Sequence, residues 1–230
     1  MLYYEKYGKG RPVIILHGAF YDSRLYKHFA KHLAKKNKAF VVDAPYHGKS
    51  KGGVETLKDT VELLKEVVDY EKIKNPIIVG HSAGAILAFH YAVKYPVRKL
   101  VLIAPAGLKY AKSKIKLLFR LMWAVMLDSW RPCIVSKLKT KYVSMSNILR
   151  NFLNPQFWRF TSKFNNEDYS KVMKKIKVPV KIVWAKRDVI FSSKRALEYK
   201  NNFPKSKLVF CNVNHDGIIN DPKCWRGLVD

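Results

Sequence analysis

Acidic residues and cysteines are both scarce in this chain. Its 230 residues carry 17 Asp and Glu against 44 Lys and Arg, a formal net charge of +27. Such a surplus points to phosphate, nucleic acid or an anionic membrane as partner, or more simply to a lysine-coated surface; charge alone names no fold. The three cysteines, Cys133, Cys211 and Cys224, are odd in number and form no Cys-x-x-Cys pair. That suggests neither a disulfide framework nor a thiolate metal site, and fits a reducing compartment. Long hydrophobic runs are missing too: the longest, Leu117 to Leu127, is interrupted by Arg120 and falls short of the roughly 20 residues that span a bilayer. The opening MLYYEKYGKG lacks the apolar stretch of a secretory signal, so a cytoplasmic location is expected. Neither a fixed-period repeat nor a low-complexity linker divides the chain.

What is present is a regular alternation. Six short β-branched or apolar runs read as buried strands: Val13 to Leu16, Ala39 to Val42, Ile77 to Val79, Leu100 to Ile103, Val180 to Trp184 and Leu208 to Val213. Between them lie helical patterns over Arg24 to Lys36, Glu55 to Tyr70, Ala83 to Lys94 and Lys194 to Asn202, and a last helix is expected from Pro222 to Leu228. Strands apolar throughout, alternating with amphipathic helices, predict an α/β fold: a mostly parallel central sheet covered by helices on both faces.

One insertion breaks the alternation. Residues 107–170 fall between the fourth and fifth strands, with two expected helices, and read as a helical cap on a core made of 1–106 and 171–230. The run Leu117 to Leu127 would give this cap an apolar surface suited to an acyl chain or aromatic ester, or simply a helix packed on the core. Lys109, Lys112, Lys114, Lys116 and Arg120 beside it suggest contact with anionic lipid.

The chemistry concentrates at Gly80-His81-Ser82-Ala83-Gly84, a G-x-S-x-G sequence between an expected strand and an expected helix. A strand turning at once into a helix forces the serine into a strained conformation and leaves no room for Cβ atoms two residues away, hence the glycines. A serine hydroxyl needs a histidine to take its proton and a carboxylate to orient that imidazole. Asp188 and His215 each follow an expected strand by a few residues, at the sheet edge where ligands bind, in the chain order Ser, Asp, His. Asp128, Asp216 and Asp221 compete for the acid role but follow no central strand directly. His17-Gly18-Ala19-Phe20 follows the first strand; its backbone N–H groups, Ala19 first and Phe20 second, would join the Ala83 N–H in holding an oxyanion. Asp43 to Ser50 has turn chemistry throughout. His28, His32 and His90 have no carboxylate or cysteine at ligand spacing, so neither metal nor cofactor is implied.

These residues together resemble the α/β-hydrolase family, in the subgroup with an HG loop, a D-x-x-x-H-G-x-S turn and a G-H-S-x-G elbow. The resemblance implies a serine hydrolase with nucleophile, acid and histidine at Ser82, Asp188 and His215, and a cap inserted at 107–170. The chain departs from the pattern at Trp184 to Asp188, which lacks a common Gly, and at Asn214, where Gly often precedes the histidine. Its short N-terminus implies a reduced or missing first strand pair. The expected reaction is cleavage of a carboxylic ester or related acyl bond in a hydrophobic small molecule or lipid. Thioesterases, acyltransferases and carbon–carbon hydrolases share the triad, a catalytically silent ligand-binding protein is the non-enzymatic alternative, and nucleic acid is not an expected partner.

Overall fold

The alternation builds a single seven-stranded sheet in a computed structural model that describes residues 1–109, 134–165 and 167–230. Its strands are β1 (Tyr4–Tyr7), β2 (Arg11–Leu16), β3 (Asn37–Val42), β4 (Ile77–His81), β5 (Lys99–Ile103), β6 (Val180–Ala185) and β7 (Ser206–Cys211), in the order β1-β3-β2-β4-β5-β6-β7. All neighbours pair in parallel except β1, which runs antiparallel to β3. Helices α1 (Ser23–Leu33), α2 (Leu57–Tyr70) and α3 (Gly84–Lys94) follow β2, β3 and β4 in turn; α7 (Ala196–Asn202) precedes β7 and the short α8 (Gly217–Asn220) follows it. Between β5 and β6 lie α4 (Ile134–Asn151), α5 (Pro155–Asn165) and α6 (Ser170–Met173).

Side chains alternate across a strand, and here both faces are buried. Ile14 and Leu16 join Leu64, Phe89, Trp184 and Tyr199 in one core under α2, α3 and α7. Val13 and Ile15 join Phe29, Val79, Ile218 and Trp225 in the other, under α1 and α8. This two-sided burial is why the strands read as continuous apolar runs rather than alternating ones.

Three expectations are corrected. The N-terminal edge strand β1 was not among the expected strands: its sequence, YEKY, is half charged, and its pairing with β3 comes from the backbone. One antiparallel strand thus stands where the short N-terminus implied a reduced pair. The last strand ends at Cys211, not Val213, and lies at the sheet edge, where Val209 and Phe210 remain about four-tenths exposed (41% and 42%) instead of buried. The expected final helix is a 3-10 turn over Pro222–Trp225, stopped by extended Arg226 and by Gly227 at φ +57°. The run Leu117 to Leu127 and Lys112, Lys114, Lys116 and Arg120 lie outside the described residues. Among those described, no helix is long and apolar enough to cross a membrane.

Candidate active site

At the carboxyl end of the sheet, β4 turns into α3 through Ser82, whose φ is +50°. A left-handed conformation costs a non-glycine residue about 1–2 kcal/mol, and here it is held by hydrogen bonds on both sides. The Ser82 N–H donates to the Ile103 carbonyl (2.9 Å), while the Ser82 carbonyl accepts from Ala85 (3.1 Å) and Ala106 (3.0 Å). A Cβ on Gly80 would meet the Ala85 backbone, and one on Gly84 would run into the carbonyl oxygens of Leu16 and His17. Gly84→Ala should therefore lower stability by about 1–3 kcal/mol, read as a lower urea midpoint; an unchanged midpoint would show that α3 can shift away from β2 at little cost.

Asp188 and His215 come together from the loops after β6 and β7. The His215 Nδ1–H donates to Asp188 Oδ2 at 2.7 Å, and Asp188 Oδ1 accepts from the N–H groups of Ile190 (2.8 Å) and Phe191 (2.7 Å). Both carboxylate oxygens thus have donors, which fixes the acid and, through it, the imidazole's tautomer. The His215 ring sits between Phe191 (5.4 Å, edge-on) and His81 (5.1 Å), the residue just before Ser82. Ser82, Asp188 and His215 are all buried to nine-tenths or more. Of the competing acids, Asp216 Oδ2 accepts from the Tyr21 hydroxyl at 2.7 Å.

The loop after β2 carries the expected backbone donors. Among the described residues no partner accepts from the Ala19 or Ala83 N–H. The Phe20 N–H, by contrast, donates to His47 Nε2 at 3.3 Å. Phe20 has φ +62°, and its carbonyl accepts from Asn147 Nδ2 on α4 at 3.1 Å. The same amide donates to Asp22 Oδ2 (2.9 Å) and its Oδ1 accepts from the Gly48 N–H (3.1 Å), so a buried Asn147 ties α4 to two loops at once. Burial works against the Asp22 charge, but the hydrogen bonds from Arg24 and Asn147 outweigh it and hold that carboxyl below its ordinary range.

Three histidines, from the HG loop, the Asp43 to Ser50 turn and the elbow, stiffen this region. His17 Nε2 accepts from the Ala44 N–H at 2.8 Å, so its Nδ1–H donates to the Gly18 carbonyl. His47 repeats the pattern, accepting from Phe20 and donating to the Pro45 carbonyl at 2.8 Å. Both must be neutral to accept, and burial pushes their pKa values down, His47 to about 3. His81 is likewise driven well down by burial; its Nδ1 accepts from the Tyr26 hydroxyl at 2.6 Å. The signal was available: HG occurs after the first expected strand and again in the Asp43 to Ser50 turn.

A mainly apolar cavity lies beside these donors, lined by His17, Gly18, Ala19, Ala83, Leu87 and Phe160 among others. From α5, Phe157 and Trp158 face Phe20 (6.2 and 6.4 Å) and Phe160 faces Tyr46 (5.5 Å), an aromatic wall above the loops.

Comparison with known proteins places the fold. Residues 13–221 match the model of the alpha/beta hydrolase family. AB hydrolase superfamily protein YisY of Bacillus subtilis is 28% identical, over 99% of this chain and 93% of its own length. Human monoacylglycerol lipase ABHD6 is 26% identical, over 96% of this chain and 76% of its own. Among solved structures, a bacterial membrane phospholipase A superposes with a TM-score of 0.82 at 18% identity, covering 100% of this chain and 82% of that one. The esterase EaEST of Exiguobacterium antarcticum does so at 0.76 and 19%, covering 98% and 92%. With a family model spanning nearly its whole length and a seven-stranded sheet that carries a serine elbow, the chain belongs to the alpha/beta hydrolase family.

Proposed function

We propose that this protein hydrolyses carboxylic esters of hydrophobic or lipid-like substrates, with Ser82 as nucleophile, His215 as general base and acid, and Asp188 as the carboxylate that orients it. The observation that carries the reading is the 2.7 Å Asp188–His215 hydrogen bond, with the His215 ring 5.1 Å from that of His81, the residue before a serine held at φ +50°. With Nδ1–H committed to Asp188, the lone pair of His215 is on Nε2, the atom that can accept a proton from Oγ. Oγ then attacks the ester carbonyl carbon, and the carbonyl oxygen takes up the negative charge. The N–H groups of Ala19 and Ala83 are the donors for it, because they have no competing acceptor among the described residues. Collapse breaks the bond to the alkoxide, which takes the proton from Nε2 and leaves as the alcohol. Water repeats the sequence on the Ser82 ester and releases the acid.

The apolar cavity and the aromatic wall of α5 support a hydrophobic acyl or alcohol part, as do relatives named monoacylglycerol lipase and esterase. Residues 107–170 act in this reading as the cap over the core. The test is labelling with a fluorophosphonate together with turnover of p-nitrophenyl esters of short and long chains. Mass spectrometry should place the adduct on Ser82, with Ser82→Ala unlabelled and inactive. Labelling at another residue, or turnover that survives Ser82→Ala, overturns the assignment.

A further inference from the structure

Helix α4 is inside out. Its protein-facing side is largely polar: Asn147 is 0% exposed, Ser144 3% and Asn151 5%, with Val143 the apolar exception. Its solvent side is apolar: Leu138 is 61% exposed, Tyr142 68%, Met145 53% and Leu149 65%, followed by Phe152 at 62% and Leu153 at 89%. At 3.6 residues per turn the four helical positions fall within an arc of about 60°, and Phe152 and Leu153 follow in the turn that ends the helix. A helix with that distribution gains nothing from water on its outer face, and isolated exposed apolar residues are ordinary but a contiguous stripe is not.

The surroundings identify what the stripe faces. Lys139 and Arg150 flank it on one side and Lys141 on the other, all exposed. Residues 107–166 hold twelve Lys and Arg and a single acid, Asp128. A second copy of this chain would set like charge against like, and a nucleic acid would satisfy the cations but leave the leucines in contact with water. An anionic bilayer satisfies both, since apolar side chains enter the acyl boundary while Lys and Arg stay at the headgroups. The helix is also fixed from behind: Asn151 Nδ2 donates to the Tyr46 carbonyl at 2.9 Å, the Arg24 guanidinium donates to Ser146 Oγ at 2.8 Å, and Arg150 bonds the Gly48 carbonyl. We propose that the outer face of α4 from Leu138 to Leu149, with Phe152 and Leu153 in the turn after it, docks on anionic lipid surfaces as a preformed interfacial element. The proposal does not depend on the ester hydrolase reading, although docking would bring lipid to the helix that holds the Phe20 carbonyl.

Sedimentation with vesicles of phosphatidylcholine, with and without phosphatidylglycerol, tests it. The protein should pellet with the phosphatidylglycerol vesicles, stay in solution with phosphatidylcholine alone, and be released by salt. Leu149→Ser with Leu153→Ser should lower partitioning about tenfold or more. Lys139→Gln with Lys141→Gln should lower it about thirtyfold. Neither pair should change the hydrolysis of a dissolved short-chain ester, which separates this proposal from the catalytic one. Equal binding to both vesicle types overturns it. So does binding that follows salt but survives the leucine substitutions, which would assign the charge to another polyanion, and so does a salt-resistant dimer that the leucine substitutions dissociate.

Discussion

Replacing His215 by Ala should lower ester turnover about 10⁵- to 10⁶-fold, as much as Ser82→Ala, and combining the two should cost little more. In the proposed mechanism the imidazole and the hydroxyl act in one proton transfer: without the base the serine stays a weak nucleophile, and without the serine the base has nothing to activate. Asp188→Asn should cost less, about 10⁴-fold, because it leaves the ring in place and disturbs its tautomer. Kcat for a p-nitrophenyl ester, with the acyl burst to count competent sites, separates these outcomes from misfolding. The informative alternative is His81, whose ring lies 5.1 Å from that of His215. Its Nδ1 is occupied by the Tyr26 hydroxyl, so it should not substitute. A His215→Ala variant that loses only about tenfold would show that it does, and would move the base to the elbow itself.

The site was legible where its chemistry is local in the chain and obscure where it is not. Gly80 to Gly84 fixes its own turn, and the geometry follows from five residues. Asp188 and His215 could be placed because each trails a strand, and strands deliver their ends to one edge of the sheet. The contact that distinguishes Phe20 from Ala19, its N–H to His47, joins residues from two loops and leaves no periodic mark. Asn147 is further removed: a lone Asn inside an otherwise amphipathic stretch reads as a surface residue, and only the docked helix reveals three hydrogen bonds to it.

The fold divides in the same way. Strands buried on both faces announce themselves as unbroken apolar runs, so β2 to β6 were foreseen within two residues at each end. Of the edge strands, β1 was missed because it carries charges, and β7 was placed to the same two residues but exposes half of its residues instead of burying them; backbone pairing rather than burial defines both. For α4, pattern reading points the wrong way. Its apolar stripe predicts the buried face, and the structure has the stripe outside because the inner surface offers backbone groups of two loops to be satisfied, a task for amides.

Acid should unfold this protein well before its carboxylates are neutralised, and the buried histidines set the window. His17, His47 and His81 are neutral in the folded chain and held there by burial, with His47 down at about 3. In the unfolded chain each takes a proton near pH 6.5. Below that pH the unfolded state binds more protons than the folded one, so stability falls as pH falls, and for His47 it goes on falling until pH approaches about 3. Each such group contributes up to about 1.4 kcal/mol per pH unit, and the three together about 4 kcal/mol per unit. Asp22, whose carboxyl is held low, adds to the loss at more acid pH; Asp43, whose carboxyl burial raises, opposes it. For a domain of ordinary stability, about 5–15 kcal/mol, a fall of that steepness consumes most of the margin within two or three pH units. Urea unfolding at successive pH values from neutral to mildly acid should show it directly. His47→Gln, whose amide has no proton to gain, should lower the slope by up to about 1.4 kcal/mol per pH unit, since one of the titrating groups is gone. Unfolding free energies that stay constant from neutral to mildly acid pH would mean that these rings are protonated in the folded chain, and the hydrogen bonds from Ala44 to His17 and from Phe20 to His47 could not then exist as described.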